Sequence, residues 1–430
     1  MTGSPAQQAL RGEPAPIGWR VRALVAGYSV SAYGNFLNLI ALSLFTYHLV
    51  GTALGIGAVM ALRLFSGVLA GLGAGTITTA LGRRTVMIGA DAAQAAAMTA
   101  LALSAHNPSL ALLLGAVVVL GAGNTLFTVA LRSAVPVIVG HDERRRANGL
   151  LVTARSFATV LGFASAAGII ALGGYGLAFA VNGASFVVSA ATVLALRLPT
   201  DADTGADTGA ATEPAPTQPI PKRPPGAGAG RLLAGIPGLL LAMLLLRGTD
   251  AFASSSHNVA LPIVAGLTYP DDPALFMTAF WAAWAVGTSL SYQLLKRVRG
   301  EKVYGARVFA LGTGLMSLAF VLAFTPLPMP ALIGAALVAG LADGCTEIVY
   351  VSRLQAAPDP ERSRLFGLSA SAETAGFSLG MLGAAAALEA FPALTVVAAF
   401  HGTALSGALA LWLYIAVRRH GALRPHHQPS

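Results

Sequence analysis

Charge is what this sequence has least of. Asp, Glu, Lys and Arg make up 10% of its 430 residues, against about a quarter in a soluble domain. So few charges cannot coat a water-facing surface on a chain this long. Cysteine is rarer still: Cys345 stands alone, which excludes an intramolecular disulfide and a cysteine-held metal cluster. No Gly-x-x-x-x-Gly-Lys-Ser/Thr loop occurs, so ATP hydrolysis has no phosphate cradle. No His-Glu-x-x-His helix offers a zinc site, and no Gly-x-Ser-x-Gly stands as a nucleophile elbow. The reading is of a chain that is not an enzyme, with no cofactor and no metal.

What is abundant is apolar length. Hydrophobic residues reach 55% and the mean hydropathy is +0.69. Runs near the ~20 residues that cross a hydrocarbon core recur at 22–46, 52–80, 85–104, 108–136, 148–171, 175–197, 234–265, 273–295, 305–325, 330–354, 365–389 and 393–417. They predict an all-α, polytopic membrane protein of about twelve spans. The first run is too long for a cleaved signal, and no small-residue cleavage site follows it.

Basic residues fall in alternate loops and both tails: Arg20 and Arg22, Arg83 and Arg84, Arg144 to Arg146, Lys222 and Arg223, Lys296 to Lys302, Arg362 and Arg364, Arg418 and Arg419. The intervening loops hold no Lys or Arg. The positive-inside rule then puts both termini in the cytoplasm of a cell with a plasma (inner) membrane, and the Ala/Gly-rich composition suggests a bacterium. On this reading the net charge of +9 reflects topology, not nucleic-acid binding.

Residues 199–231, "PTDADTGADTGAATEPAPTQPIPKRPPGAGAGR", are too polar and too rich in Pro and Gly to bury apolar area, and read as a flexible cytoplasmic linker. The expected organisation is a six-helix bundle over 1–198, the linker, a second bundle over 232–417 and a tail over 418–430. The halves resemble each other. Residues 147–168 align on 365–386 at a shift of 218, pairing Gly149 with Gly367, Ala154 with Ala372 and Gly162 with Gly380; Gly121 pairs with Gly340 at 219. Parallel six-helix repeats belong to secondary transporters that bind substrate between the halves near the midplane.

The stretch "GTITTALGRR" (75–84) resembles the loop signature of the major facilitator superfamily, Gly-x-x-x-Asp-Arg-x-Gly-Arg-Arg. Gly75, Gly82, Arg83 and Arg84 match, while Thr79 and Ala80 replace the Asp and Arg. "MIGADAAQA", with Asp91, "RSAVPVIVGHDERRRANGLL" and "GYGLAFAVNGASFVVSA" are similar to drug- and siderophore-exporter branches. Gly162 belongs to a loose version of the glycine pattern that antiporters carry in span 5. The resemblance implies two pseudo-symmetric six-helix bundles rocking about a cavity lined by spans 1, 4, 7 and 10.

Polar stripes occur in those spans. At ~100° per residue, Arg247, Asp250, Ser254 and His257 share one face of span 7. A shift of 219 lands on Tyr28, Ser31, Asn35 and Asn38 in span 1. Span 10 carries Asp343, Glu347 and Tyr350, opposite Asn124 and Thr128 in span 4. Arg63, Asp91, Arg132, Arg155 and Glu373 complete the charges at membrane depth, where ionisable groups are costly and mark function by default; Arg132 is expected to snorkel to the cytoplasmic face. The first half is mostly cationic inside and the second mostly anionic. Arg247 is placed to pair with Asp250 along its own helix. Asp343 and Glu347 lie one turn apart with no arginine between them in sequence, an arrangement suited to holding a coupling proton. They rank first as proton carriers, followed by Asp250 and Glu373. Arg155 and Glu373, equivalent in the repeat, also suit a latch between the halves, and Asp91 reads as structural.

The function these features suggest is secondary active transport, a proton-coupled efflux (antiport) of an amphipathic or cationic organic molecule such as a drug or secondary metabolite. Alternatives are a proton-linked importer or uniporter of a polar solute, and a receptor or scaffold that transports nothing. The partners implied are a small-molecule substrate, protons and membrane lipid, for a monomeric protein.

Overall fold

The computed structural model describes residues 18–196, 236–297, 305–357 and 359–422. The linker expected at 199–231, the residues before 18 and those beyond 422 lie outside that set. Ten helices follow one another: α1 Trp19–Val50, α2 Ala53–Leu81, α3 Arg83–Leu103, α4 Leu110–Leu196, α5 Gly238–Thr268, α6 Pro273–Arg297, α7 Ala306–Ala323, α8 Met329–Gln355, α9 Asp359–Leu388 and α10 Ala393–Ala422. No strand occurs among the described residues.

Helix α4 spans 87 residues, which as a straight rod would measure about 130 Å. It folds back instead. Gly174 adopts φ +64°, a left-handed value that glycine reaches without penalty. Ser165 before it meets Tyr33 of α1, and Asn182 and Ser185 after it press on the adjacent Gly34 of the same helix. Val135 and Val139 likewise line one small hollow with Ala147 and Leu151, so the chain also reverses between them. A glycine makes the tightest corner of all: Gly82, at φ +77°, alone joins α2 to α3.

Nine segments among the described residues are long and apolar enough to cross a membrane. One of them, Gly149–Leu196, has 48 residues, twice what one crossing needs, and contains the reversal at Gly174. Helices α1 and α9 match a crossing in length but are absent from the nine. Tyr28, Ser31, Asn35 and Asn38 dilute the first, and Ser369, Ser371, Glu373 and Thr374 the second. The expected twelve runs would require folding the long segment in two and counting these two helices as well. Leu72, Leu103 and Leu172 are each at least 80% exposed, as suits a surface bathed in hydrocarbon. This is a multi-pass helical membrane protein.

The helices before and after the linker pack as two bundles with matching internal contacts. In lipid, helix association relies on close packing at small residues rather than on the hydrophobic effect, and the same approaches recur in both bundles. A Cβ on Gly121 would overlap the carbonyl oxygen of Arg63, and one on Gly340 that of Trp284. Gly162 sits against Tyr33 and Phe36 of α1, and Gly380 against Phe252 and Ser255 of α5, at shifts of 218 and 219.

Among the described residues, the shared apolar core joins the bundles at one end. At the end bearing the 51–52, 104–109, 269–272 and 389–392 connections, a single apolar core runs across both. There Phe163 stacks on Trp281 at 5.6 Å, the Ala167 amide donates to Thr278 Oγ1 at 2.9 Å, and the Leu54 amide donates to Glu389 at 2.8 Å. At the opposite end, where the first described residues and the last lie, the core splits in two. Leu24, Met87 and Leu131 belong to the first bundle's part and Met243, Phe309 and Leu354 to the second's. Among the described residues a cleft therefore opens between the bundles at that opposite end.

Candidate functional site

The wall contributed by the second bundle is organised by one arginine. Arg247, on α5, reaches Glu347 of α8 at 2.5 Å, Asp250 one turn along its own helix at 3.5 Å, and Glu373 of α9 at 3.6 Å. Asp343 of α8 lies within its electrostatic range. Its guanidinium sits 5.8 Å above the ring of the buried Tyr350, a cation–π distance. The Tyr350 hydroxyl donates to Ser369 Oγ at 2.8 Å, and Ser369 donates to Glu373 Oε1 at 2.7 Å. One cation thus serves four carboxylates. Asp250 is buried with Oδ1 unpaired, whereas the Glu347 side chain is 49% exposed to the cleft.

The first bundle contributes a pocket of about 120 Å³, lined by Tyr28, Ser31 and Asn35 of α1, Arg63 of α2, Asp91 and Gln94 of α3, and Asn124, Thr128 and Arg155 of α4. Phe36, Phe127 and Phe186 form its apolar wall. The Arg155 guanidinium lies 5.5 Å from the Phe36 ring. Polar and aromatic groups share the pocket's lining.

The residues predicted from the sequence are distributed as follows. Tyr28, Ser31, Asn35, Asn124, Thr128 and Arg63 come together in the first pocket. Asp343, Glu347, Asp250, Glu373, Arg247 and Tyr350 come together in the acidic cluster. Ser254 is half-buried on α5.

Several expectations need correction. Asp343 and Glu347 are not free of arginine, because Arg247 crosses from α5; one helix's spacing cannot reveal a partner on another. Arg247 is not confined to Asp250 but shared. His257 turns away from the cleft: its Nδ1 lies 3.2 Å from Nε2 of His401 on α10, and its ring stacks on Phe320 at 3.8 Å. Asn38, its repeat equivalent, is fully buried behind the pocket with both side-chain polar atoms unpaired. The wall therefore ends one turn sooner on both helices than the stripes suggested. Asp91, read as structural, lines the pocket. In this conformation Glu373 pairs with Arg247, and Arg155 packs on Phe36, so the two form no ion pair.

In the loop signature, Gly75 accepts hydrogen bonds from Thr78 and Thr79 through its carbonyl. Arg84 donates to the carbonyls of Val193 and Leu194, tying the α2–α3 corner to the end of α4. Sequence reasoning missed Ser369, Gln94, His401 and Asn182. Ser369 lies one turn before Glu373, and His401 is Asn182 shifted by 219, so both signals were present. Residues 376–380 spell Gly-x-Ser-x-Gly, but they lie within α9, where Gly376 and Gly380 press on α5; no strand-to-helix elbow exists there.

The family profile of the Major Facilitator Superfamily matches residues 24–306. No curated protein matches the chain by sequence. Among solved structures, the nucleoside transporter NupG is 13% identical with a TM-score of 0.65, over 93% of this chain and 99% of its own. The POT family transporter PepTSo is 11% identical with a TM-score of 0.70, over 94% and 99%. A bacterial homolog of the human lysosomal transporter Spinster, in an inward-facing and occupied conformation, is 12% identical with a TM-score of 0.61, over 97% and 96%. At such identities the likeness is one of fold.

Proposed function

The chain belongs to the Major Facilitator Superfamily and is a secondary transporter, and we propose that it is a proton-coupled exporter of an amphipathic or cationic organic solute, working by alternating access. The observation that carries this reading is the cluster of four carboxylates around Arg247. Arg247 neutralises one negative charge, which leaves a surplus on a wall facing the cleft. Desolvated like charges repel strongly at low dielectric, so the surplus is relieved by a bound proton or by a cationic solute. The two relieve the same charge and therefore compete, which is the requirement for exchange. The aromatic and polar pocket of the first bundle receives the rest of the solute.

With the termini cytoplasmic, as the basic loops indicate, the open cleft faces the cytoplasm and stands ready to load. Closing the terminal end and parting the far end would then expose the solute outside. There an entering proton displaces it and permits the return.

Purified protein in proteoliposomes under an imposed pH gradient tests this. Asp343→Asn, Glu347→Gln, Asp250→Asn and Glu373→Gln are compared for gradient-driven uptake and for exchange without a gradient. Loss of gradient driving with retained exchange in at least one variant is expected. Full gradient-driven transport in all four removes the coupling assignment. The second reading is proton-linked import or uniport of a polar solute, favoured by Arg63 and Arg155 in the first pocket, which suit an anionic group. Flux in right-side-out against inverted vesicles separates the two directions.

A further inference from the structure

The first pocket carries positive charge that its own bundle does not answer. Arg63 stands half-buried in the interior of α2 and lines the pocket. Among the described residues its guanidinium makes no hydrogen bond and no ion pair. Arg155, exposed on α4, rests on the Phe36 ring at 5.5 Å and likewise has no carboxylate partner among the described residues. Asp91 is the one carboxylate of the lining and forms an ion pair with neither arginine. Two arginines against one aspartate leave the lining positive. Charges at membrane depth are costly and either pair or face a cavity, so cations left unanswered in a pocket point to an anion that enters it.

Packing does not ask for these charges. A Cβ on Gly121 would overlap the Arg63 carbonyl, and one on Gly340 that of Trp284, so Arg63 and Trp284 occupy matching places on α2 and α6. The second bundle fills that place with an indole and the first with a guanidinium. Arg155 is the counterpart of Glu373 at the 218 shift, so there the sign itself is reversed. The same seam holds Arg63 in position: Gly67, one turn further along α2, meets the Gly121 carbonyl, and helices this close leave the backbone little freedom. The rest of the lining suits a flat ring. Tyr28 and Phe127 stack in parallel at 6.4 Å, and Phe36 and Phe186 complete the apolar wall. The volume of about 120 Å³ is close to the ~150 Å³ in which an apolar cavity holds benzene.

We propose that the first pocket is a subsite for an aromatic carboxylate, with Arg63 and Arg155 as charge partners and the phenylalanine and tyrosine rings as apolar walls. A guanidinium receives a carboxylate through two parallel hydrogen bonds, and the ring behind the acid lies among aromatic faces. The inference rests on the transport reading above and is indifferent to the direction of flux. There the acidic cluster takes a cationic centre; here the pocket takes an acidic ring. The solute that uses both is therefore zwitterionic. A solute with positive charge alone would leave both arginines unanswered.

The test is equilibrium dialysis of radiolabelled benzoate against the purified full-length chain in nanodiscs, with empty nanodiscs subtracted and benzamide or benzylammonium as competitors. Benzoate offers one carboxylate and one ring and nothing else. The expected result is one saturable benzoate per chain in the roughly millimolar range, with benzamide weaker by about tenfold or more because it lacks the charge. Arg63→Gln weakens benzoate by about tenfold or more, and Arg63→Lys recovers part of the loss by keeping the charge without the planar fork. An unchanged Tm shows a variant to be folded, so that its loss of binding is a site effect. If Arg63→Gln does not fold, Arg155→Gln and the benzamide comparison still decide. Benzylammonium should leave bound benzoate in place, since the acidic cluster receives it; displacement would remove the zwitterionic solute. No saturable benzoate, equal binding of benzamide, or binding unchanged in Arg63→Gln would overturn the subsite and leave the pocket to water. Gradient-driven transport by the acidic-cluster variants is a separate measurement, so this subsite and proton coupling fail independently.

Discussion

Removing Arg247 should damage the protein in a way that depends on pH. Arg247→Ala strips the shared cation from four carboxylates at once. The exposed Glu347 loses little, since a solvated ion pair is worth about 0–1 kcal/mol. Asp250 loses most, because its side chain is 7% exposed and its second oxygen is already unpaired. Breaking a buried pair from one side costs about 3–5 kcal/mol through the charge left behind. With stability shifting Tm by roughly 1–2 °C per kcal/mol in a chain larger than those of 150–250 residues, a fall of about 3–10 °C is expected at neutral pH. Acid protonates the stranded carboxylates and relieves both repulsion and desolvation, so the deficit should shrink as the pH falls. Asp250→Asn added to Arg247→Ala should recover much of the loss, giving a coupling of about 2 kcal/mol in a double-mutant cycle. Thermal unfolding of the four proteins across pH measures all of this. A drop below about 1 °C, or single effects that simply add, would refute the claim that Arg247 is the keystone of the cluster.

Gly121→Val and Gly340→Val should each cost about 3 kcal/mol by overpacking against a backbone carbonyl that cannot yield, measured as reduced Tm and expression; near-equal losses are expected because the two contacts are repeat equivalents. His401→Leu should destabilise by about 1–3 kcal/mol by stranding the buried His257 ring nitrogen, while solute binding by the folded protein stays unchanged because neither ring faces the cleft. Cysteines at Arg155 and Glu373 should crosslink poorly in the present conformation and efficiently when the terminal end closes, as read by crosslink yield with and without saturating solute. A yield indifferent to solute would remove the latch.

The bundles were legible because hydropathy and a 219-residue offset survive in single residues. Gly121 and Gly340 keep the same steric duty, and Gly162 and Gly380 keep another. The polar stripes on α1 and α5 identified the right helices but not where each wall ends. A helical wheel fixes azimuth, whereas His257 is removed from the cleft by His401, packing beside it from 144 residues away, and Asn38 is fully buried. The acidic cluster was legible as four carboxylates and hidden as an assembly, since the Arg247–Glu347 bond spans 100 residues. Only the repeat could have exposed it: Tyr28 stands where Arg247 does and Thr128 where Glu347 does, so the charge pair was added to one bundle alone.

That asymmetry bears on how the two conformations can be nearly equal in energy. In the conformation described, Arg247 holds Glu373 at 3.6 Å, a loose contact, and Glu347 more tightly. Arg155, the repeat equivalent of Glu373, rests on a phenylalanine ring. In the alternating access proposed above, closing the terminal end would bring the acidic wall toward the first pocket, where Glu373 could exchange the weaker of Arg247's contacts for Arg155. Such an exchange would leave Arg247 with Glu347 and Asp250 as its other partners. A bundle that traded a buried ion pair for nothing would face a penalty of about 3–5 kcal/mol and stay in one state. On the proposed exchange, trading one carboxylate partner for another would keep the difference small enough for a bound solute or a proton on the cluster to decide which state is populated.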